Sequence, residues 1–467
     1  MVCSPGQQIA CPCPGGAPGA QVCKADGTGY ESCAGCPGVA DMSVVVDAAS
    51  DVAIPFVQDA GIDLAVGPPV IDTSFVRDLN VAIDLASVDL VPTPIADLTP
   101  PAVDFATKPP DLKSTNLTVT FSSPTTIALA YQPYFLTSGD LNGDGLADLV
   151  VPVRGGSVLS VLLGMSTGFQ SAVSYSYQSG SNWGPTMAMI GDANGDGRKD
   201  IVGVGATGSV MTFLATGGGN FQTMPLVSAT GGQGYSGALA DINGDGKLDI
   251  AVSDPGQNCV WAMLGNGTGA FPSPTKNQMS PIGPPGAFVI ANLNADSIPD
   301  IALPLRTDPS MNNFEIFFGT GSGQLNAPIG RKVQMIANAV TAADFNGDGK
   351  LDLAIAGSPA LVVLTGDGAG TFTSGASINL GNYNPMAMAV ADFNLDGKPD
   401  LALSSGTTDV IVFIGVGDGT FQTAKTYTVG QFMWGITAGD FNGDGKPDIA
   451  ATDLNGASVV VLYNTSM

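Results

Sequence analysis

Apolar residues in this chain come in short blocks rather than in single alternation. Runs at 149–153, 201–204, 250–252, 301–303, 353–355, 401–403 and 449–450 are apolar without interruption or nearly so. That is the pattern of a strand covered on both faces. A polar turn follows each run, and then a second apolar run, at 158–163, 210–214, 260–264, 314–318, 361–364, 410–414 and 459–463. A Gly-rich turn with an aromatic closes most units, as in Gly417-Asp418-Gly419-Thr420-Phe421. Each unit therefore predicts strand, loop, strand, turn, strand, Gly hairpin and strand.

An acidic nonapeptide of the form D-x-N-x-D-G-x-x-D precedes each first apolar run. The copies start at Asp140, Asp192, Asp241, Asn292, Asp344, Asp392 and Asp440, spaced by 52, 49, 51, 52, 48 and 48 residues. So regular a period marks a repeat architecture. Four-stranded units repeated radially are the blades of a β-propeller, so an all-β, seven-bladed propeller is predicted.

Oxygen side chains occupy positions 1, 3, 5 and 9 of every copy. They are Asp140, Asn142, Asp144 and Asp148; Asp192, Asn194, Asp196 and Asp200; Asp241, Asn243, Asp245 and Asp249. The others are Asn292, Asn294, Asp296 and Asp300; Asp344, Asn346, Asp348 and Asp352; Asp392, Asn394, Asp396 and Asp400; Asp440, Asn442, Asp444 and Asp448. Hard oxygen donors crowded into a tight loop suit Ca²⁺, with the position-7 carbonyl, such as that of Lys446, as a further ligand. Without a cation the carboxylates would repel. The reading competes with plain Asp-Gly turns and with EF-hands. An EF-hand needs a bidentate Glu at position 12 and a helix behind the loop. Position 12 here holds Val151, Gly203, Val252, Leu303, Ile355, Leu403 and Ala451.

With this loop and unit grammar the chain resembles the FG-GAP/VCBS repeat family, the seven-bladed propeller of the integrin α-subunit head and of many secreted bacterial proteins. The resemblance covers 116–467. It implies that each acidic loop joins the first and second strands of a blade and holds Ca²⁺. It also implies a Gly-aromatic element at Gly168-Phe169, Asn220-Phe221, Ala270-Phe271, Thr371-Phe372 and Thr420-Phe421. The fourth unit departs: Asn292 replaces the first Asp, Ser297 the turn Gly, and Leu325 the aromatic. Six complete calcium sites and an incomplete seventh at Asn292 are the expectation.

The last unit ends after its third strand, so a closed ring needs a strand from elsewhere; an open edge would invite aggregation. Residues 116–122 alternate, and they are expected to pair antiparallel with 459–463.

The whole chain carries a net charge of −25, a balance that disfavours nucleic acid and anionic membrane as partners. From residue 116 onward there are 27 acidic and 12 basic residues, and 20 of the acids are Asp at loop positions. Seven divalent cations would bring that net of −15 to about −1. Residues 37–115 hold 12 Asp against Arg77, Lys108 and Lys113, among many Pro, Ala and Val, and are expected to form an extended linker.

Residues 1–36 carry Cys3, Cys11, Cys13, Cys23, Cys33 and Cys36. An even count in so short a segment suggests three disulfides, with fifteen possible connectivities. Zinc at Cys33-x-x-Cys36 and Cys11-x-Cys13 is the alternative, although the chain has no His and the spacing fits no zinc class well. Cys259, beside Val260 and Trp261, is expected in the core. Disulfides and calcium loops together point to an extracellular or cell-surface protein. Met1-Val2-Cys3 carries no legible signal peptide, and no run is long enough to span a membrane.

The lack of His excludes Ser-His-Asp and Cys-His pairs, and the paired carboxylates lie in the acidic loops. No phosphate-binding G-x-x-x-x-G-K-[ST] is present. A non-catalytic, monomeric binding module for a protein or glycan is therefore expected, with a carbohydrate-active enzyme or lectin on the same scaffold as the alternative. Its ligand would lie opposite the acidic loops, where the inter-blade connections hold Tyr134, Trp183, Tyr235, Tyr383, Phe432 and Trp434, with Arg154 and Arg306 nearby in the turns between second and third strands. Packing between blades is the competing role for these aromatics.

Overall fold

The computed structural model describes residues 8–12, 18–22, 119–177, 184–228, 232–279, 283–310 and 312–466. The linker of 37–115 and Trp183 lie outside them, as do the expected cysteine pairings of 1–36; of those cysteines only the backbone of Cys11 is placed. The N-terminal segment holds one hairpin, Gln8–Pro12 paired antiparallel with Pro18–Val22. Among the described residues no helix is long and apolar enough to cross a membrane.

Seven antiparallel sheets of four main strands follow, each in simple up-and-down order. Blade 1 comprises Thr137–Gly139, Asp148–Val153, Val158–Leu162 and Val173–Ser176. Blade 5 is the longest, with Ile336–Ala343, Asp352–Ser358, Ala360–Gly366 and Phe372–Asn379. Blade 4 is shorter at its outer edge, where Phe314–Phe317 and Ile329–Arg331 are its third and fourth strands.

The second strands show why their sequences do not alternate. All positions of Asp148–Val153, Asp200–Gly205, Asp249–Asp254, Asp300–Pro304, Asp400–Ser404 and Asp448–Asp453 are buried. Each sheet is packed by a neighbour on both faces, so both sides of a strand select apolar residues. Seven apolar clusters result, one between each adjacent pair of blades, including the pair formed by blades 7 and 1. Cys259 is buried in its third strand, as expected, and burial pushes its thiol up to about 12.

The ring closes with N-terminal chain, in a register different from the expected one. The fourth strand of blade 7 is Thr125–Ala128, which pairs Thr125 with Val461 and Ala128 with Ser458. Of the segment expected there, the described part continues past the end of the third strand: Phe121 bridges Asn464, and the Ser122 amide donates to the Tyr463 carbonyl at 2.8 Å. Alternation alone leaves a strand free to slide by two residues. What pins it is Phe121. It stands four residues before its strand, as Phe169 stands before Val173–Ser176 and Phe421 before Lys425–Thr428. The bridge from Phe121 to Asn464 repeats that from Phe421 to Gly415. Phe121 is thus the aromatic that the last unit otherwise lacks.

These aromatics lock successive blades together. Phe169 of blade 1 meets Phe441 of blade 7 with centroids 5.4 Å apart, Phe421 of blade 6 meets Phe345 of blade 5 at 5.8 Å, and Phe121 meets Phe393 of blade 6 at 5.7 Å. Each partner is position 2 of the preceding blade's acidic loop. Leu325 of blade 4 packs against the cluster that holds Ile242, the corresponding loop residue of blade 3, so the substitution keeps the contact without the ring.

Candidate functional site

The acidic loops join first to second strands on one face of the disc. The turns between second and third strands and the inter-blade connections lie on the other.

Six of the seven loops share one scheme of hydrogen bonds. The position-1 Asp accepts from the position-6 Gly amide through Oδ2, at 2.9, 2.7, 2.8, 2.8, 2.6 and 2.8 Å for Asp140, Asp192, Asp241, Asp344, Asp392 and Asp440. Its Oδ1 also accepts from the position-5 amide, as from Asp144 at 3.2 Å. The position-3 Asn accepts from that same amide, 2.8 Å between Asn142 Oδ1 and Asp144 N, and in the first, second and sixth loops its Nδ2 also donates to the position-5 carboxylate, as to Asp144 Oδ2 at 2.8 Å. Positions 4 and 6 take left-handed backbone, φ 80° at Gly143 and 83° at Gly145, which glycine adopts without steric cost.

The fourth loop keeps this backbone with residues that resist it. Ala295 and Ser297 sit at φ 59° and 70°. Asn292 accepts from the Asp296 amide at 3.2 Å, but an amide NH₂ replaces the oxygen that takes the position-6 N–H in the other loops. Leu395 at position 4 of the sixth loop also takes a left-handed φ, 56°.

Position 9 departs in character from positions 1, 3 and 5. Asp148, Asp200, Asp249, Asp300, Asp352, Asp400 and Asp448 are fully buried, whereas the position-5 acids are exposed. Each buried carboxylate joins its own loop to the end of the third strand. Asp400 accepts from Phe393 N at 2.8 Å and Gly415 N at 2.7 Å, and Asp448 from Phe441 N at 3.0 Å and Asn464 N at 2.7 Å. The strand end comes so close that a Cβ on Gly415 would lie 2.2 Å from the Pro399 carbonyl oxygen. Burial raises these carboxyls, and the neighbouring loop acids add to the rise against the opposing amide hydrogen bonds. Asp148, Asp249 and Asp300 reach about 6, Asp448 about 7 and Asp400 about 8, and Asp200 and Asp352 shift the same way.

The loop donors are hard oxygens held on a preformed turn, a set whose chemistry fits Ca²⁺ rather than a soft metal. Among the described residues no three acidic groups already converge into a cage for an ion.

On the opposite face the structure brings most of the sequence-predicted aromatics together. Tyr134 lies 5.3 Å from Trp434, and Phe432 lies 5.9 Å from Trp434, centroid to centroid. Phe135 joins them at 6.2 Å from Tyr134 and reaches Tyr235 of blade 3 at 5.8 Å. Blades 7, 1 and 3 therefore meet in one half-buried aromatic cluster. Arg154 stacks over Tyr134 at 5.3 Å and donates to its hydroxyl at 3.0 Å, while Arg306 donates to the Tyr235 hydroxyl at 3.4 Å. Trp434 Nε1 is buried without a hydrogen-bond partner. Tyr383 packs between blades 5 and 6 with its hydroxyl on Asp409 at 3.0 Å, the competing role considered above.

Sequence reasoning missed Phe135 and two buried acids that fix this face. Asp453 accepts from the amides of Gln431, Phe432 and Gly456, and Asp254 from those of Gln233 and Gln257 and from Trp261 Nε1. Their signal was an Asp at the end of a second strand just before a Gly-containing turn, in Asp254-Pro-Gly and Asp453-Leu-Asn-Gly.

This geometry defines a closed seven-bladed propeller with acidic loops on one face and an aromatic cluster on the other. The FG-GAP-like repeat matches residues 192–252, 241–303, 344–403 and 392–451, and the FG-GAP repeat matches 133–174, together more than half of the chain. The chain belongs to the FG-GAP repeat family. Integrin alpha-PS5 of Drosophila melanogaster is 29% identical over 157 residues, which cover 28% of this chain and 16% of that protein. Integrin alpha-IIb of Mus musculus is 32% identical over 152 residues, covering 27% and 14%. The matched region thus spans less than a fifth of these relatives. Among solved structures, BBS1N in complex with ARL6DN aligns with a TM-score of 0.52 at 10% identity, covering 74% of this chain and 96% of that one, a likeness of fold.

Proposed function

We propose that the propeller is a non-catalytic binding module, displayed outside the cell, that presents the aromatic face to a protein or glycan and uses Ca²⁺ in the opposite loops as fasteners. One observation carries the reading: Tyr134, Phe135, Tyr235, Phe432 and Trp434 form a single half-buried cluster that reaches the surface on this face. Aromatic anchors with a polar handle suit both stacking on a sugar and insertion into a protein partner. The similarity to integrin alpha chains supports a binding role.

Calcium would be held by positions 1, 3 and 5 of each loop, with the buried position-9 carboxylate behind them. When bound, it would neutralise the loop acids and tie first to second strands. The absence of His and the commitment of the position-9 acids to backbone amides support a role without catalysis.

The test is binding of the full chain in calcium to a glycan array and to a panel of extracellular-matrix proteins, with Trp434→Ala and Tyr235→Ala as variants. Loss of the captured ligand in both variants, at unchanged melting temperature, is the expected result. Capture that survives both substitutions would move the ligand off this face.

A further inference from the structure

A groove of about 780 Å³ runs along the outer edge between blades 4 and 5. It exists because blade 4 is short there. Ile329–Arg331 has three residues, and the facing Phe372–Asn379 has eight, so part of blade 5 is left without an opposite neighbour. One wall is apolar, built by the outer edges of Val362, Leu364, Phe372 and Met335, which are otherwise buried in the cluster between the two blades. The other carries Arg331 and Lys332, and the rim carries the short polar side chains of Asn312, Gln334, Ser377 and Asn379.

Its charge sets the groove apart. The chain has 41 acidic and 16 basic residues, yet no acid lines this groove. Among the described residues neither Arg331 nor Lys332 forms an ion pair; Lys332 helps hold the Asp308 carboxyl low, but less than the hydrogen bonds from Ser310 do. Arg331 Nε is buried without a partner, and Nη1 only reaches the Phe372 carbonyl at 3.5 Å. A guanidinium with five donors and one long hydrogen bond is poised for an anionic acceptor. The acidity elsewhere does not forbid this, because exposed charges beyond about 8 Å are largely screened at physiological ionic strength.

We propose that this groove binds a carboxylated oligosaccharide, with the sugar's apolar C–H face on Val362, Leu364 and Phe372, its carboxylate on Arg331 and Lys332, and its hydroxyls on the amide and hydroxyl rim. The volume lies within the range of small-ligand sites, and a wall that is apolar on one side and rich in short polar groups on the other matches a pyranose. The site is separate from the aromatic face and stands or falls independently of it.

The probe is an α-1,4-galacturonate trisaccharide, titrated calorimetrically into the full chain beside its methyl ester, which keeps the shape and removes the charge. Calcium is held constant throughout. The acid form is expected to bind, the ester at least tenfold more weakly, and Arg331→Ala to weaken the acid form tenfold or more. Trp434→Ala should leave this binding unchanged. If Arg331→Ala fails to fold, Ser377→Trp, which fills the groove from an exposed position, serves in its place and should abolish binding. Equal affinity for acid and ester, no binding of the acid, an undiminished affinity in a folded groove variant, or tighter binding of an acidic peptide would each overturn the proposal.

Discussion

The ring of Phe121 stands edge-on to that of Tyr427, with centroids 5.4 Å apart and planes at 87°. One residue comes from the chain that enters the ring and the other from the outer strand of blade 6. Together with Phe393 they seat the closing strand. Phe121→Ala should lower stability in urea by about 2 kcal/mol, the range for a part-buried aromatic, without loss of secondary structure. Removing residues 119–128 should do more, because it exposes the edge of Ser458–Leu462. Light scattering that stayed flat in the truncated protein would show that the edge needs no cover.

The position-9 acids should matter even without metal. Asp400→Ala orphans the amides of Phe393 and Gly415, and a buried unsatisfied donor costs about 1–3 kcal/mol. On the order of 3 kcal/mol should therefore be lost in excess chelator. Asp444→Ala, at an exposed position 5, should cost little in chelator and become destabilising only when calcium is supplied. Chemical denaturation under the two conditions separates the roles.

In chelator the protein should become more stable as pH falls from about 8 towards 5. Burial raises the folded-state carboxyls of Asp148, Asp249 and Asp300 to about 6, Asp448 to about 7 and Asp400 to about 8, above the ordinary 3.8. A folded state that holds protons more tightly than the unfolded chain is favoured at low pH, and that advantage fades as pH rises through 6 to 8. Saturating calcium should reverse the slope, because cation and proton compete for the same loops. Melting curves at pH 5, 6.5 and 8, with and without calcium, would read out both signs.

Calcium removal should lower the melting temperature steeply. A site with a dissociation constant near 10⁻⁴ M at about 1 mM free ion contributes roughly 1.4 kcal/mol, on the order of 8 to 10 kcal/mol over six or seven sites. Scanning calorimetry in excess EGTA that showed no change would remove calcium from the fold.

The fourth loop should be repairable. Asn292→Asp restores the acceptor for the position-6 amide, and Ser297→Gly relieves a φ of 70° that costs about 1 kcal/mol in a residue with a Cβ. The double variant should gain one calcium equivalent by isothermal titration over the parent chain.

The blade grammar was legible because each part of it is local. A second strand covered on both faces must be apolar throughout, as 149–153 and 401–403 are, and a left-handed loop position selects Gly, as at Gly145 and Gly445. Repetition at near-constant spacing then fixed blade number and closure. Register at the closing strand was not legible, because alternation in 116–122 is satisfied by several pairings and only the ring contacts of Phe121 with Phe393 and Tyr427 choose one.

The same division runs through the sites. By itself the sequence determined seven oxygen-rich loops and an aromatic-bearing opposite face, since both rest on residue type and spacing. Tertiary structure alone decided that position 9 is a buried staple between loop and third strand, because its partners, such as Gly415 and Asn464, come from another strand. It also decided that Phe135 and Tyr235 meet, and that a short outer edge on blade 4 opens a basic groove against blade 5. These depend on distances between segments far apart in the chain, which packing sets and local sequence does not encode.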